Sequence, residues 1–146
     1  MSTEANKAIV VQLYEEVFNK GNLQLADRLI ADDAVEHDPN GLPTPTGPAG
    51  LKAVVTMLRA AFPDCQQIIE DLVAEGDKAA ARLTFRGTHQ GPFLGVAPTG
   101  KHMSITEMIF YRFADGKVAE VWTSRDDLGA MRQLGLLAEA SPAHSR

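Results

Sequence analysis

The sequence predicts an α+β fold in which three N-terminal helices pack on a curved antiparallel sheet and enclose a pocket. Three observations carry this. Apolar residues repeat with the helical period as far as Phe62. From residue 66 the pattern changes to long strand-like runs. Two of those runs are joined by Asp115-Gly116, a strong hairpin signal.

The first helix spans 4–19, with Ile9, Leu13 and Val17 on one stripe and Val10, Tyr14 and Phe18 beside it; Gly21 stops it. Asn22 is the expected cap of a second helix with Leu25, Ala26, Leu29 and Ile30 as its apolar face. A short extended run at 34–38 ends at Pro39, and 39–47, with three prolines and two glycines, reads as a loop. Gly47-Pro48 starts a third helix, on which Leu51, Val54, Val55, Leu58 and Phe62 line one face until Pro63 closes it. Runs at 66–75, 78–89, 103–113 and 117–126 follow as a strand meander, and a last helix starts near Asp127 with Leu128, Met131 and Leu134.

With 146 residues the expectation is one domain over 1–137 and a small, polar, frayed tail over 138–146. A net charge of −5 with scattered Lys and Arg argues against a nucleic-acid backbone as partner. Cys65 is the single cysteine, so no disulfide forms within the chain. Residues 1–7 lack the basic start and apolar run of a secretory signal, and no apolar stretch approaches the ~20 residues of a membrane span. These features predict a cytoplasmic protein without membrane partners. There is no His-Glu-x-x-His and there are no paired cysteines, so no metal is expected. Serine-hydrolase and phosphate-loop signatures are absent as well.

The order of elements resembles the SnoaL-like polyketide cyclases of the NTF2-like superfamily. Local stretches resemble them too: residues 14–22, Glu36-His37-Asp38-Pro39, 59–64, 87–91, 113–117, Glu120-Val121-Trp122, Asp126, and the Leu128-Gly129 and Gln133-Leu134-Gly135 pieces. The resemblance covers roughly residues 5–137. It implies an NTF2-like cone with one pocket and a small hydrophobic, carbonyl-bearing ligand. It further implies ring closure by an intramolecular aldol reaction, as in polyketide and ester cyclases, without metal or organic cofactor. Relatives also imply a homodimer that covers the exposed sheet face. Asp126 matches the family's acid/base aspartate near the end of the last long strand.

Aldol chemistry needs one group to take a proton from a carbon flanked by carbonyls and others to hold the enolate. Period-two alternation groups Val118, Glu120, Trp122, Ser124 and Asp126 on one face of the last strand, and that face is expected inward. Trp122 would then wall the pocket and Asp126 stand at its rim; the plainer reading is that Asp126 or Asp127 caps the last helix. His37 and His89, at strand ends, are candidates to polarise a carbonyl, or are half-buried histidines bonded to backbone. Glu107 shares parity with Ile105, Ile109 and Tyr111, which favours the cavity, with Arg82 as a possible partner. Leu58, Phe62 and Met108 are candidate apolar walls. Residues 91–100, with Phe93, Leu94 and Val96, form a greasy loop at the mouth or at a subunit contact. The alternatives are a non-catalytic small-molecule binding protein on the same fold, whose pocket would have no carboxylate facing the ligand, and an isomerase, which would also use one carboxylate base. Epoxide opening in the superfamily uses an Asp-Arg-Asp set, which looks incomplete around Arg82 with Ala80 and Thr84 as its same-face neighbours.

Overall fold

The computed structural model describes residues 2–41 and 43–137. Ser2 starts the first helix by accepting the Ala5 N–H at 3.1 Å, and Glu4 in the first turn suits the positive end of the helix dipole. This helix, α1 (Thr3–Gln12), runs into a π-helical segment, Leu13–Phe18. The wider π turn lets Leu13, Tyr14 and Val17 all reach the interior.

The expected second helix is shorter. A 3₁₀ turn (Leu23–Leu25) leads into α2 (Ala26–Leu29), and the Asn22 side chain makes no capping bond. Ile30 already belongs to β1 (Ile30–His37). The loop that follows is stapled to β1 by the Gly47 N–H, which donates to Ala34 O at 2.9 Å. Gly47 has φ +74°, and a Cβ there would lie 2.4 Å from Asp32 O, so only glycine fits. Next come α3 (Pro48–Ala61), β2 (Gln66–Glu75), β3 (Lys78–Thr88), β4 (His102–Ala114), β5 (Lys117–Arg125) and α4 (Asp127–Gln133). The tail expected at 138–146 lies outside the described residues.

The strands form one sheet in the order β1-β5-β4-β3-β2. β2 to β5 are an antiparallel meander, and β1 pairs parallel to β5. Asp115 (φ +51°) and Gly116 (φ +78°) make the tight β4–β5 turn that their sequence suggests. The inner face of the sheet meets the helices. Val10, Val17, Val55, Leu83 and Val118 are fully enclosed there, each contributing about 1.5–3 kcal/mol by leaving water. A second cluster, with Phe62, Phe85, Met103 and Leu134, fills the end of the sheet under α4. Among the described residues, no helix is long and apolar enough to cross a membrane.

Two interruptions set which side chains face inward. On β5, Val118 pairs with Phe113 but Glu120 pairs with Arg112, so Ala119 is an extra residue. Such a bulge reverses the alternation beyond it. On β2 an extra residue at Glu70 does the same between Ile69 and Asp71.

Candidate active site

The inner face of β4 carries Met103, Ile105, Glu107, Ile109, Tyr111 and Phe113, all buried. Glu107 is the one charged member and is 7% exposed. Its row across the sheet is Leu83, Glu107, Arg125, and the next is Ala81, Ile109, Thr123. Burial pushes the Glu107 carboxyl pKa up; the Gln67 amide and Arg125 pull against this, while Asp38 and Glu36 reinforce it.

Glu36 reaches the same region from β1. The Thr123 hydroxyl donates to Glu36 Oε2 at 3.0 Å. Glu36 is exposed on its outer side, yet enough protein surrounds its carboxyl for burial to raise its pKa, against the Thr123 bond. It lines a cleft of about 270 Å³ with Asp38, Pro43, Thr44, Pro45 and Thr46. This cleft sits where β1 meets the proline-rich loop.

Arg125 closes one side. Its guanidinium meets Asp38 Oδ2 at 2.6 Å and, through Nε, Asp127 Oδ1 at 2.9 Å. Burial disfavours its charge, but the two carboxylates outweigh this and raise its pKa. Below the carboxylates, the hydroxyls of Tyr14 and Tyr111 hydrogen-bond to each other. Burial raises both their pKa values. The set offers two carboxyls that hold protons more readily than ordinary glutamate, one deep and one at the mouth. That suits proton transfer on a neutral ligand. Among the described residues, no three His, Cys, Asp or Glu side chains group as a metal would need.

The model of the SnoaL-like polyketide cyclases matches residues 8–134. The chain belongs to that family. It is 30% identical to nogalonic acid methyl ester cyclase of Streptomyces nogalater, over 81% of this chain and 89% of that protein. It is 32% identical to the aklanonic acid methyl ester cyclase of Streptomyces galilaeus, over 61% and 62%. Among solved structures, TsrD from Streptomyces laurentii superposes with a TM-score of 0.85 at 28% identity, covering 94% of this chain and 99% of that one. IdmH from Streptomyces antibioticus gives 0.75 at 38% identity, over 88% and 97%.

In this SnoaL-like chain the residues expected from the sequence are not all together. Glu107 is buried on the inner face of β4. Arg82 does not pair with it: Arg82 is exposed on the outer face opposite Met108, and Leu83 is the strand neighbour of Glu107. Met108 is 54% exposed, because the residue next to an inward Glu107 must point out. The β5 bulge puts Trp122 on the outer face, where it is 37% exposed and stacks on His37 at 5.3 Å. His37 itself is outside, donating from Nε2 to Glu120 Oε2 at 2.7 Å. His89 is enclosed with Phe62 and Phe93 in the second cluster, where its Nδ1 accepts the Thr99 N–H at 3.2 Å. Leu58 and Phe62 belong to that cluster rather than to the carboxylate site. Asp126 caps α4, accepting the Gly129 N–H at 2.8 Å.

The sequence reading missed Glu36, Thr123, Arg125, Asp38 and the tyrosine pair as site groups. Glu36 had a signal: with Ala34 and Asp38 it shares one parity of the extended run. Tyr111 shares the parity of Glu107. Thr123 and Arg125 depend on the bulge and had none.

Proposed function

We propose that the chain is an acid/base enzyme that closes a ring in a carbonyl-rich small molecule by an aldol-type reaction, without a cofactor. The observation that supports it is the pair of carboxyls held up in pKa on one inner face, Glu36 at the mouth and Glu107 inside. Glu36, oriented by Thr123, takes the proton from a carbon flanked by carbonyls. Glu107, whose burial favours the protonated carboxyl, donates a hydrogen bond to the enolate oxygen. The enolate carbon then bonds to a second carbonyl carbon of the same molecule, and the alkoxide that forms recovers the proton from Glu36. No electrons enter or leave, and the carboxyls end as they began.

The methyl esters of nogalonic and aklanonic acid, named for the two relatives, are the first substrates to try. Glu36→Gln and Glu107→Gln are expected to lower turnover about 100-fold or more, while Asp126→Asn retains it. Unchanged turnover in both glutamate variants would sink this reading.

One observation favours a second reaction on the same surface. Asp38, Arg125 and Asp127 form a bridged Asp-Arg-Asp set, the type the superfamily uses to open epoxides with water. Hydrolysis of styrene oxide that Asp38→Asn abolishes would support it.

The outer sheet face, with Met108, Phe110 and Trp122 exposed, suits a homodimer interface. A lone buried cysteine, Cys65, suits a reducing compartment such as the cytoplasm.

A further inference from the structure

A helix position that faces the sheet holds an amide where a hydrocarbon is expected. Asn6, Ile9, Val10 and Leu13 follow the i, i+3, i+4, i+7 spacing of one helix face, and all four are buried. Asn6 is 0% exposed, yet neither its Nδ2 nor its Oδ1 has a hydrogen-bond partner among the described residues. Leaving a buried amide unpartnered is costly, and asparagine is also a poor helix former. Neither packing nor helix propensity accounts for this residue.

A second cleft reaches this amide. It has a volume of about 180 Å³ and is lined by Asn6, Gly76, Asp77, Phe113, Ala114 and Asp115. Asn6 and Phe113, its buried members, form the floor. The β2–β3 turn at Gly76-Asp77 and the β4–β5 turn at Asp115 form the rim. The Phe113 N–H donates to Asp77 O at 2.8 Å and ties the two turns together. A Cβ on Gly76 would meet nothing within 4 Å, so the entrance is open on that side. The cleft stands apart from the carboxylate site, because Phe113 lies about 20 Å along β4 from Glu107.

The lining selects a ligand by its hydrogen bonds. The Asn6 amide offers N–H donors and a carbonyl acceptor side by side. The rim adds two carboxylates: that of Asp77 meets Lys78 Nζ at 2.9 Å, while Asp115 makes no ion pair among the described residues. A simple cation would answer the carboxylates and Oδ1 but leave Nδ2 without an acceptor. A carboxylate would answer Nδ2 but meet like charge at the rim. A primary carboxamide answers every group: its carbonyl accepts from Nδ2, one N–H donates to Oδ1, and the other turns toward the rim. We infer that this cleft is a binding site for a small molecule bearing a primary carboxamide, separate from the carboxylate site and independent of the acid/base reading.

The probes are benzamide, acetophenone and benzoate, which share a ring and differ in the polar group. Binding is followed in nitrogen-15-labelled protein by the NMR signals of the Asn6 side-chain NH2 and of the Gly76, Asp77 and Asp115 backbone amides. Benzamide is expected to shift these signals saturably and to bind about fivefold or more tightly than acetophenone, which lacks the N–H donors. Benzoate is expected to shift none of them. Asn6→Leu, an apolar side chain of similar size, should abolish benzamide binding while the spectrum stays that of a folded protein. Asp115→Gly removes a rim carboxylate at a backbone position, φ +51°, that glycine accepts. It should weaken benzamide about fivefold, and it tests the site without touching the core. No shift with benzamide, equal binding of the three probes, or benzamide binding unchanged in the variants overturns the inference. A water molecule held on the Asn6 amide that benzamide does not displace overturns it too. Turnover of the glutamate variants is read separately, so neither idea carries the other down.

Discussion

Gly129 donates its backbone N–H to Asp126 Oδ1 at 2.8 Å, and Asp126 thereby caps α4. Asp126→Ala should cost about 1 kcal/mol in urea unfolding, and Asp126→Asn much less, since asparagine also caps. If Asp126→Asn instead abolishes turnover with stability intact, the carboxylate has chemistry beyond capping.

The two raised glutamates make stability depend on pH with a definite sign. A carboxyl whose folded pKa lies above its unfolded value, about 4.3 for Glu, binds more protons folded than unfolded. Stability contributed by Glu36 and Glu107 is therefore full below the unfolded value and declines as pH rises through their raised folded values. Glu107→Gln should flatten this decline, as read from urea midpoints across pH. A decline unchanged by that substitution would show that Glu107 titrates normally.

Catalysis should respond to the same groups in opposite directions. The rate rises as Glu36 loses its proton and becomes a base, and falls as Glu107 loses the proton it donates. Because the two carboxyls interact, the bell reports the pair. A rate that climbs with pH without a falling limb would remove Glu107 as donor.

Arg125→Met takes the shared cation from Asp38 and Asp127. Both partners are partly exposed, so the cost is about 1–3 kcal/mol, below that of a fully buried pair. Arg125 also holds the carboxyl pKa values of Glu36 and Glu107 down, so its loss should move both limbs of the pH profile to higher pH. Limbs that stay in place would mean Arg125 acts only as a clamp.

Phe110 and Trp122 meet edge to face on the outer surface at 6.1 Å. If they cover a second copy, Phe110→Ser/Trp122→Ser should convert a dimer to a monomer in sedimentation without lowering the unfolding midpoint much. A native monomer would remove the dimer.

The sequence carried the architecture because helix and strand periods are local. The stripe Ile9, Leu13, Val17 and the Asp115-Gly116 turn needed no distant partner to be read. Glu107 was also legible, since an acid among Ile105, Ile109 and Tyr111 has to face either water or a cavity. The rest failed at one residue. Ala119 as a bulge sends Val118 and Glu120 to opposite faces, so alternation counted from Val118 put Trp122 inside and Thr123 outside. Nothing in Lys117-Val118-Ala119-Glu120 marks which residue is extra; pairing with β4 decides it. His37 looked like a pocket group beside Glu36, but one step along a strand separates the two faces.

The parallel pairing of β1 with β5 sets when the protein can become active during its synthesis. Glu36 leaves the ribosome more than eighty residues before Thr123, and no nearer strand is its neighbour. Until β5 emerges, β1 is an unpaired edge and the two halves of the site are strangers. A nascent chain short of β5 is chemically silent, and contacts of such long sequence separation are slow to form. On the proposed acid/base reading, activity therefore arrives only with the last strand, and truncation anywhere before it is expected to leave an inert product.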